Sequence, residues 1–179
     1  MTDRIYPETA AGPFDEPPLS FEDREDRTIE VRPYDGERED FDETEALVEM
    51  YLEFDPADRA QGIPPGRENR VRSWLDNILG GDCLNVIAWD GEQVAGHATL
   101  VPADEGTYEL AIFVLQAYQK AGIGTHLIEG LLGYGQAAGI EKVWLTVERW
   151  NRPAVGLYKK IGFETSDAES FELEMTLRL

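Results

Sequence analysis

The sequence predicts one mixed α/β domain, a sheet flanked by helices with elements in the order β-α-α-β-β-β-α-β-α-β. Three observations predict it. Apolar residues recur at helical spacing in several segments, short alternating or apolar runs fill the intervals, and glycine- or proline-bearing turns mark the boundaries. A chain of 179 residues that is 42% hydrophobic can build one sizeable core and is short for two.

Residues 1–26 carry Pro7, Pro13, Pro17 and Pro18 among many acids and lack periodicity, so an extended arm or a mobile tail is expected, ahead of a single domain over 27–179. Thr28-Ile-Glu-Val-Arg alternates as a strand and is closed by Pro33. Asp42 followed by Glu45 resembles a capping box, after which Leu47, Val48, Tyr51 and Leu52 fall on one helical face. A loop holding Gly62, Pro64, Pro65 and Gly66 precedes a second helix, whose Val71, Trp74, Leu75 and Ile78 form the apolar stripe and which Gly80-Gly81 stops. Leu84–Trp89, the turn pair Asp90-Gly91 and Gln93–Val101 make a hairpin. A turn at Asp104-Glu-Gly106 leads into Tyr108–Leu115, an apolar run short enough for a buried strand. The next helix places Leu127, Leu131, Tyr134 and Ala138 on one face and ends at Gly139; Lys142–Val147 is a strand, Arg152–Ile161 a short helix stopped by Gly162, and Phe171–Leu179 the last strand.

Composition excludes several classes. No apolar run approaches the roughly 18–20 residues of a membrane span, so no membrane partner is expected. The first residues lack a basic stretch followed by an apolar one, which argues against a signal peptide. The single Cys83 forms no intrachain disulfide and supplies no metal cluster, and the cytoplasm is the default location. Asp and Glu number 36 against 16 Lys and Arg, a formal charge of −20, and no basic stripe is available for nucleic acid. The charge suits either a cationic substrate or a surface adapted to concentrated salt; the spread of the acids along the chain favours the second.

The most informative stretch is Val114-Leu-Gln-Ala-Tyr-Gln119-Lys120-Ala121-Gly122-Ile123-Gly124-Thr125-His-Leu. A strand runs through a tight turn directly into a helix, which collects backbone N–H groups at the positive end of a helix dipole, a geometry suited to phosphate or pyrophosphate. Gly122 and Gly124 allow close approach of a ligand, and Gln119, Lys120 and Thr125 can add donors. Two glycines at a helix start also suit a plain packing turn, and the segment matches neither a Walker loop nor a dinucleotide fingerprint.

A second motif decides between them. Leu145-Thr-Val-Glu-Arg-Trp-Asn151-Arg-Pro-Ala154-Val-Gly-Leu-Tyr158-Lys-Lys-Ile-Gly162-Phe163 runs from a strand through an Asn into a helix bearing a Tyr seven residues on. With both motifs in this order, the chain resembles the GCN5-related N-acetyltransferase (GNAT) superfamily from Thr28 to Leu179. Gln119-x-x-Gly122-x-Gly124 looks like its pyrophosphate loop and Asn151-x-x-Ala154-x-x-x-Tyr158 like its second cofactor motif; Gln119 stands where Arg is also common, and Ala121 where Gly is frequent. The resemblance implies the GNAT acyl-CoA N-acyltransferase fold, acetyl-CoA as the acetyl donor and no metal. It implies cofactor contacts from Gln119, Lys120, Ala121, Gly122, Ile123, Gly124, Thr125, Asn151 and Tyr158, with the main chain of Ile112, Phe113 and Val114 holding the pantetheine arm as an added strand would.

Transfer to an amine requires a neutral nucleophile, a polarised carbonyl and a proton for the thiolate. Tyr158 is the implied general acid, a phenol that is protonated at neutral pH; the alternative is a core aromatic. Glu109, the one charge in an apolar strand, is the candidate general base, since burial raises a carboxyl pKa; the alternatives are a solvent-facing carboxylate and, as the resemblance allows, ordered water as the base. Glu109-Leu-Ala-Ile-Phe-Val…Gln119 also resembles the protein-lysine acetyltransferase branch. Asn151 orients the cofactor, caps a helix, or does both. His97, His126 and Cys83 read as ordinary packing or surface residues. The basic patch Arg59, Arg67, Arg70 and Arg72 reads first as partners for nearby acids. The expected partner is a small-molecule amine or a protein amine, with a homodimer an open alternative to the monomer. The rival reading is a non-catalytic acyl-CoA-binding module acting as sensor or partner.

Overall fold

A computed structural model of the protein describes residues 3–38, 41–54, 67–168 and 171–179, without the side chains of 37 and 38. The loop around Gly62 and Pro64–Gly66, and Arg59, lie outside the described residues. The strands are β1 (Leu19–Glu22), β2 (Thr28–Pro33), β3 (Glu37–Arg38), β4 (Phe41–Asp42), β5 (Leu84–Asp90), β6 (Gln93–Pro102), β7 (Tyr108–Val114), β8 (Lys142–Glu148), β9 (Glu164–Ala168) and β10 (Glu172–Arg178). The helices are α1 (Glu43–Leu52), α2 (Glu68–Ile78), α3 (Ile123–Ala137) and α4 (Arg152–Ile161). The expected mixed sheet with four helices is present, in an eight-stranded sheet ordered β1-β2-β5-β6-β7-β8-β10-β9. Only β7 and β8 pair in parallel; every other neighbouring pair in that sheet is antiparallel.

Four strands go beyond the expected order. β1 and β9 are the two edges of the sheet; β9 is exposed at nearly every residue, and β1 alternates over only four residues, too short a run to mark a strand in sequence. The other two form a two-residue hairpin before α1. Asp42 does cap α1, its carboxylate accepting from the N–H groups of Thr44 (2.9 Å) and Glu45 (3.2 Å). The box is not reciprocal, because the Glu45 carboxylate is turned to Arg72. Leu52, expected on the buried face, is exposed, and Met50 is buried instead. Ala138, expected on the inner face of α3, is its exposed C-cap residue. Both departures fall in a last turn, where the helix leaves the core.

Side chains alternate between two layers. Gly96, Ala98 and Leu100 of β6 face α3; His97, Thr99 and Val101 face the side of α1 and α2. Residues 3–26 do not stand apart from this core. The chain passes so close to α3 at Gly133 that a Cβ there would collide with the carbonyl of Asp15, and the Ala11 N–H donates to Arg178 O at 2.7 Å.

On the α1/α2 side a buried polar chain joins four elements. Asn85 Nδ2 of β5 donates to Ile78 O at the end of α2 (2.8 Å), which turns Asn85 Oδ1 towards His97 Nε2 (2.7 Å). Nε2 must therefore carry the proton, and Nδ1 accepts from the Tyr51 hydroxyl of α1 at 2.6 Å. The chain seats both helices on the sheet and satisfies an imidazole with no exposed surface. Burial holds that imidazole neutral, its pKa pushed down to about 3. An unfolded histidine titrates near about 6.5, so between these values the unfolded chain binds the extra proton. Stability is therefore expected to fall as pH drops through that window, by up to roughly 1.4 kcal/mol per pH unit from this group. Melting temperatures of the wild type and His97→Gln, compared between about pH 7 and pH 4, should show a shallower decline in the variant; parallel declines would remove His97 as the cause.

Candidate active site

The site begins where the two parallel strands part. β7 and β8 pair at Tyr108↔Val143 and Glu109↔Trp144 and nowhere further along. On its other edge β7 stays paired with β6 as far as Val114, and β8 stays paired with β10 as far as Glu148. The outer edges are held while the inner edges diverge, which leaves a fork. Backbone N–H and C=O groups alternate in direction along a strand, so some of those between Leu110 and Val114 face the open fork without a ladder partner. Ala111, Ile112, Phe113 and Val114 are apolar yet only half-buried, the signature of a strand missing its cover.

The fork leads into the glycine loop. After a 3-10 turn over Gln116–Tyr118, Lys120 and Gly122 both adopt positive φ, 61° and 90°. Gly122 is the N-cap residue of α3; no side chain caps the helix and no acid lies in its first turn. Those first N–H groups and the dipole they terminate are therefore available to an anion. A Cβ at Gly122 would meet nothing within 4 Å, so the loop is open on that side. Gln119 Nε2 donates to Val114 O at 3.0 Å, so this side chain closes the turn on itself. Lys120 is exposed, Thr125 half-buried, and Ala121 and Ile123 are buried anchors of the loop. A Cβ at Gly124 would stand 3.5 Å from Leu157 of α4 and 3.9 Å from Ile112, so loop, fork and last helix come close together here.

Each motif residue has a definite place. Asn151 caps α4, its Oδ1 accepting from Ala154 N at 3.4 Å. Tyr158, on the same helix, is 8% exposed and packs edge-on against Phe163. Burial pushes its phenol up to about 12, so it stays protonated across the physiological range. Glu109 shares its face with Val101 on one side and Trp144 on the other, at the apex of the fork. Burial raises its carboxyl above the ordinary value, and the Arg4 cation opposes that rise. Strand alternation puts Glu109 and Phe113 on the α1/α2 side, where Phe113 meets Tyr51 and Trp74 edge-on, while α4 and Tyr158 lie on the α3 side. The fork thus has a carboxyl near one mouth and a phenol on the other face.

His126 stacks on Phe21 (centroids 3.6 Å apart) and its Nδ1–H donates to Gly122 O at 2.9 Å, a loop-bracing role. Cys83 has its thiol pKa raised by burial, which suits an inert side chain. Arg72 pairs with Glu45 and Glu68; Arg67 and Arg70 are exposed. Sequence reading did not find the bracing from the arm. The Arg24 N–H donates to Ala121 O (3.0 Å), and Arg27 lies over the Tyr118 ring at 4.3 Å. Their only trace in sequence is the faint alternation of Leu19-Ser-Phe-Glu.

A strand fork opening onto an uncapped helix N-terminus is the arrangement of an acetyltransferase fold, and the chain belongs to the acetyltransferase (GNAT) family, whose model matches residues 44–163. It is 35% identical over 81 residues to a mycothiol acetyltransferase of Corynebacterium glutamicum, covering 45% of this chain and 28% of that protein. Over 91 residues it is 32% identical to an N-alpha-acetyltransferase of Sulfurisphaera tokodaii, covering 50% and 53%. The chain thus spans about a quarter to a half of the length of these curated relatives. The fold matches the GNAT domain of S. lividans PAT with a TM-score of 0.75 at 18% identity, over 90% of this chain and 96% of that one. It matches the PaiA N-acetyltransferase of Thermoplasma acidophilum, solved in complex with coenzyme A, with a TM-score of 0.65 at 22% identity over 84% and 99%.

The loop geometry is open to a direct test. Gly122→Ala forces an L-residue into the left-handed region at a cost of roughly 1–2 kcal/mol, or about 2–8 °C in Tm for a chain of this size. Gly124→Ala places its Cβ 3.5 Å from Leu157, an ordinary contact at a residue without positive φ, and should leave Tm nearly unchanged. Equal losses in the two variants would contradict this account of the loop.

Proposed function

We propose that this protein is an acetyl-CoA-dependent N-acetyltransferase that moves an acetyl group directly onto a primary amine, carried by a small molecule or by a protein. The observation that carries the reading is the fork between β7 and β8 opening onto the uncapped N-terminus of α3. The residues present fit an acyl-CoA. The half-buried apolar strand with unpaired backbone groups suits a pantetheine amide chain, and the free helix donors beside Gly122 suit a pyrophosphate. Acetyl-CoA supplies an activated thioester; the remaining steps fall to the protein.

In this reading the main chain of Ile112, Phe113 and Val114 aligns the donor and offers an N–H to the thioester oxygen as negative charge develops there. Gly122, Ile123, Gly124 and Thr125 hold the phosphates through their backbone, with Lys120 beside them, while Gln119, Ala121 and Asn151 keep the loop and α4 in shape. Glu109 takes a proton from the incoming ammonium so that the neutral amine can attack the carbonyl carbon. As the C–S bond breaks, the Tyr158 hydroxyl gives its proton to sulfur; its high pKa ensures that the proton is present.

Thiol release from acetyl-CoA in the presence of a panel of amines and lysine peptides tests the reading as a whole. Tight CoA binding by calorimetry without stimulated release by any acceptor would favour the acyl-CoA-binding module instead. Tyr158→Phe should lower kcat by about 100-fold with acetyl-CoA affinity unchanged; an unaltered kcat would remove Tyr158 from the chemistry. Glu109 must be ionised to act, so activity falls as pH drops through its raised pKa, and Glu109→Gln should abolish that acidic limb. A limb that survives in Glu109→Gln would assign it to another group.

A further inference from the structure

Residues 3–11 cross the sheet face that carries Glu109, on the side an acceptor would approach. The segment is pinned at successive points: Ile5 N–H donates to Ser166 Oγ (2.8 Å), Thr176 Oγ1 donates to Ile5 O (2.6 Å), and Arg178 Nε donates to Pro7 O (2.7 Å). The side chain at its head is Arg4. Its guanidinium carbon lies 3.6 Å from the centroid of the Trp144 ring, and its Nε is 3.2 Å from Glu174 Oε2. The two charged side chains are only 21% and 15% exposed, so solvent screens them weakly. Trp144 is the strand partner of Glu109, and paired residues in a sheet direct their side chains to the same face. The guanidinium therefore lies on the indole of Glu109's strand partner, on the face that carries Glu109, and its charge acts on that carboxyl.

We propose that Arg4 is a positioning residue for Glu109, and that the arm carrying it is a wall on the acceptor side of the transfer site. The inference rests on Glu109 serving as the general base. The other groups facing this carboxyl add no second cation of comparable placement among the described residues. β10 contributes Glu174, already paired with Arg4, and Arg178, whose Nε is held by Pro7 O; the arm contributes Tyr6, whose hydroxyl is turned to Thr107; β6 contributes the neutral Val101; and α1 and α2 meet β7 further along, through Tyr51 and Trp74 against Phe113. β8 contributes Trp144 and Lys142, whose ammonium is directed to the Tyr6 ring at 5.2 Å. Arg4 thus opposes the desolvation of Glu109, favouring the ionised base. Without it the half-buried Glu109 carboxyl would lose the cation that opposes its desolvation and hold its proton to higher pH.

The test compares the full chain with Arg4→Gln and Arg4→Met, two replacements so that loss of folding in one leaves the other, and with Arg4→Lys. Two readouts are followed: the titration of the Glu109 carboxyl carbon by NMR in the unliganded protein, and the pH profile of kcat/KM with acetyl-CoA and an accepted amine. In the neutral variants the Glu109 midpoint should move up. kcat/KM near about pH 6.5 should fall by at least about threefold and converge on the wild type near about pH 9, with acetyl-CoA affinity unchanged. Arg4→Lys should recover most of the loss. An unmoved Glu109 titration in a folded neutral variant would overturn the proposal. A titration that moves while every chain, wild type included, is inactive would sustain the effect of Arg4 on Glu109 and refute the acetyltransferase reading.

Discussion

Two parallel strands that touch at only two residue pairs are the constraint on which the rest of this structure depends. β7 and β8 are each fully paired on the outer side, so neither can follow the other once they diverge. The backbone groups exposed by the divergence are a standing cost unless something completes their hydrogen bonds. A donor lying between the strands as an added one would complete them, which is why the proposed binding mode relies on main chain more than on side chains. Glu109 lies on the α1/α2 face of β7 at the apex of this divergence, and Tyr158 lies on the α3 side.

Around this opening the structure is braced from three directions. The Tyr51–His97–Asn85–Ile78 chain seats α1 and α2 on the sheet. Gly124 leaves only the room of a side-chain carbon between the loop and Ile112 of β7 and Leu157 of α4. The arm braces the loop through Arg24 and His126–Phe21, and it crosses the Glu109 face through Arg4. The bonds from Tyr51 to His97, from Arg24 to Ala121 and the stacking of His126 on Phe21 join groups remote in sequence, so part of the rigidity at the site comes from contacts that close long loops of chain.

Legibility in the sequence followed the hydrophobic pattern. β5 to β8 and α2 to α4 were visible because their inner faces are apolar with the right period, and their ends carry glycine, proline or capping residues. Edge strands were not: β9 reads Glu-Thr-Ser-Asp-Ala, nearly all exposed, and is a strand only because β10 offers it a ladder. Leu52 and Ala138 failed for a related reason, since periodicity predicts a face but not the residue at which a helix leaves the core. The positions of Gln119–Gly124, Asn151 and Tyr158 could be marked from spacing and resemblance. That the Gln119 amide would turn inward to Val114 could not, because hydrogen-bond choice in a tight turn depends on which carbonyls neighbouring strands leave unsatisfied.

The class of fold, the order of its central elements and the loop that meets a helix start are legible in the chain alone, because they rest on local periodicity, turn chemistry and motif spacing. What surrounds them depends on the folded structure. It showed that β7 and β8 separate after Glu109, that burial holds His97 neutral and Tyr158 protonated, and that Arg4 lies on Trp144 beside the candidate base. The physical reason is that desolvation and ion pairing are properties of position in space. The residues that create them here stand as far apart as Arg4 and Glu174, and no local pattern joins them before the chain is folded.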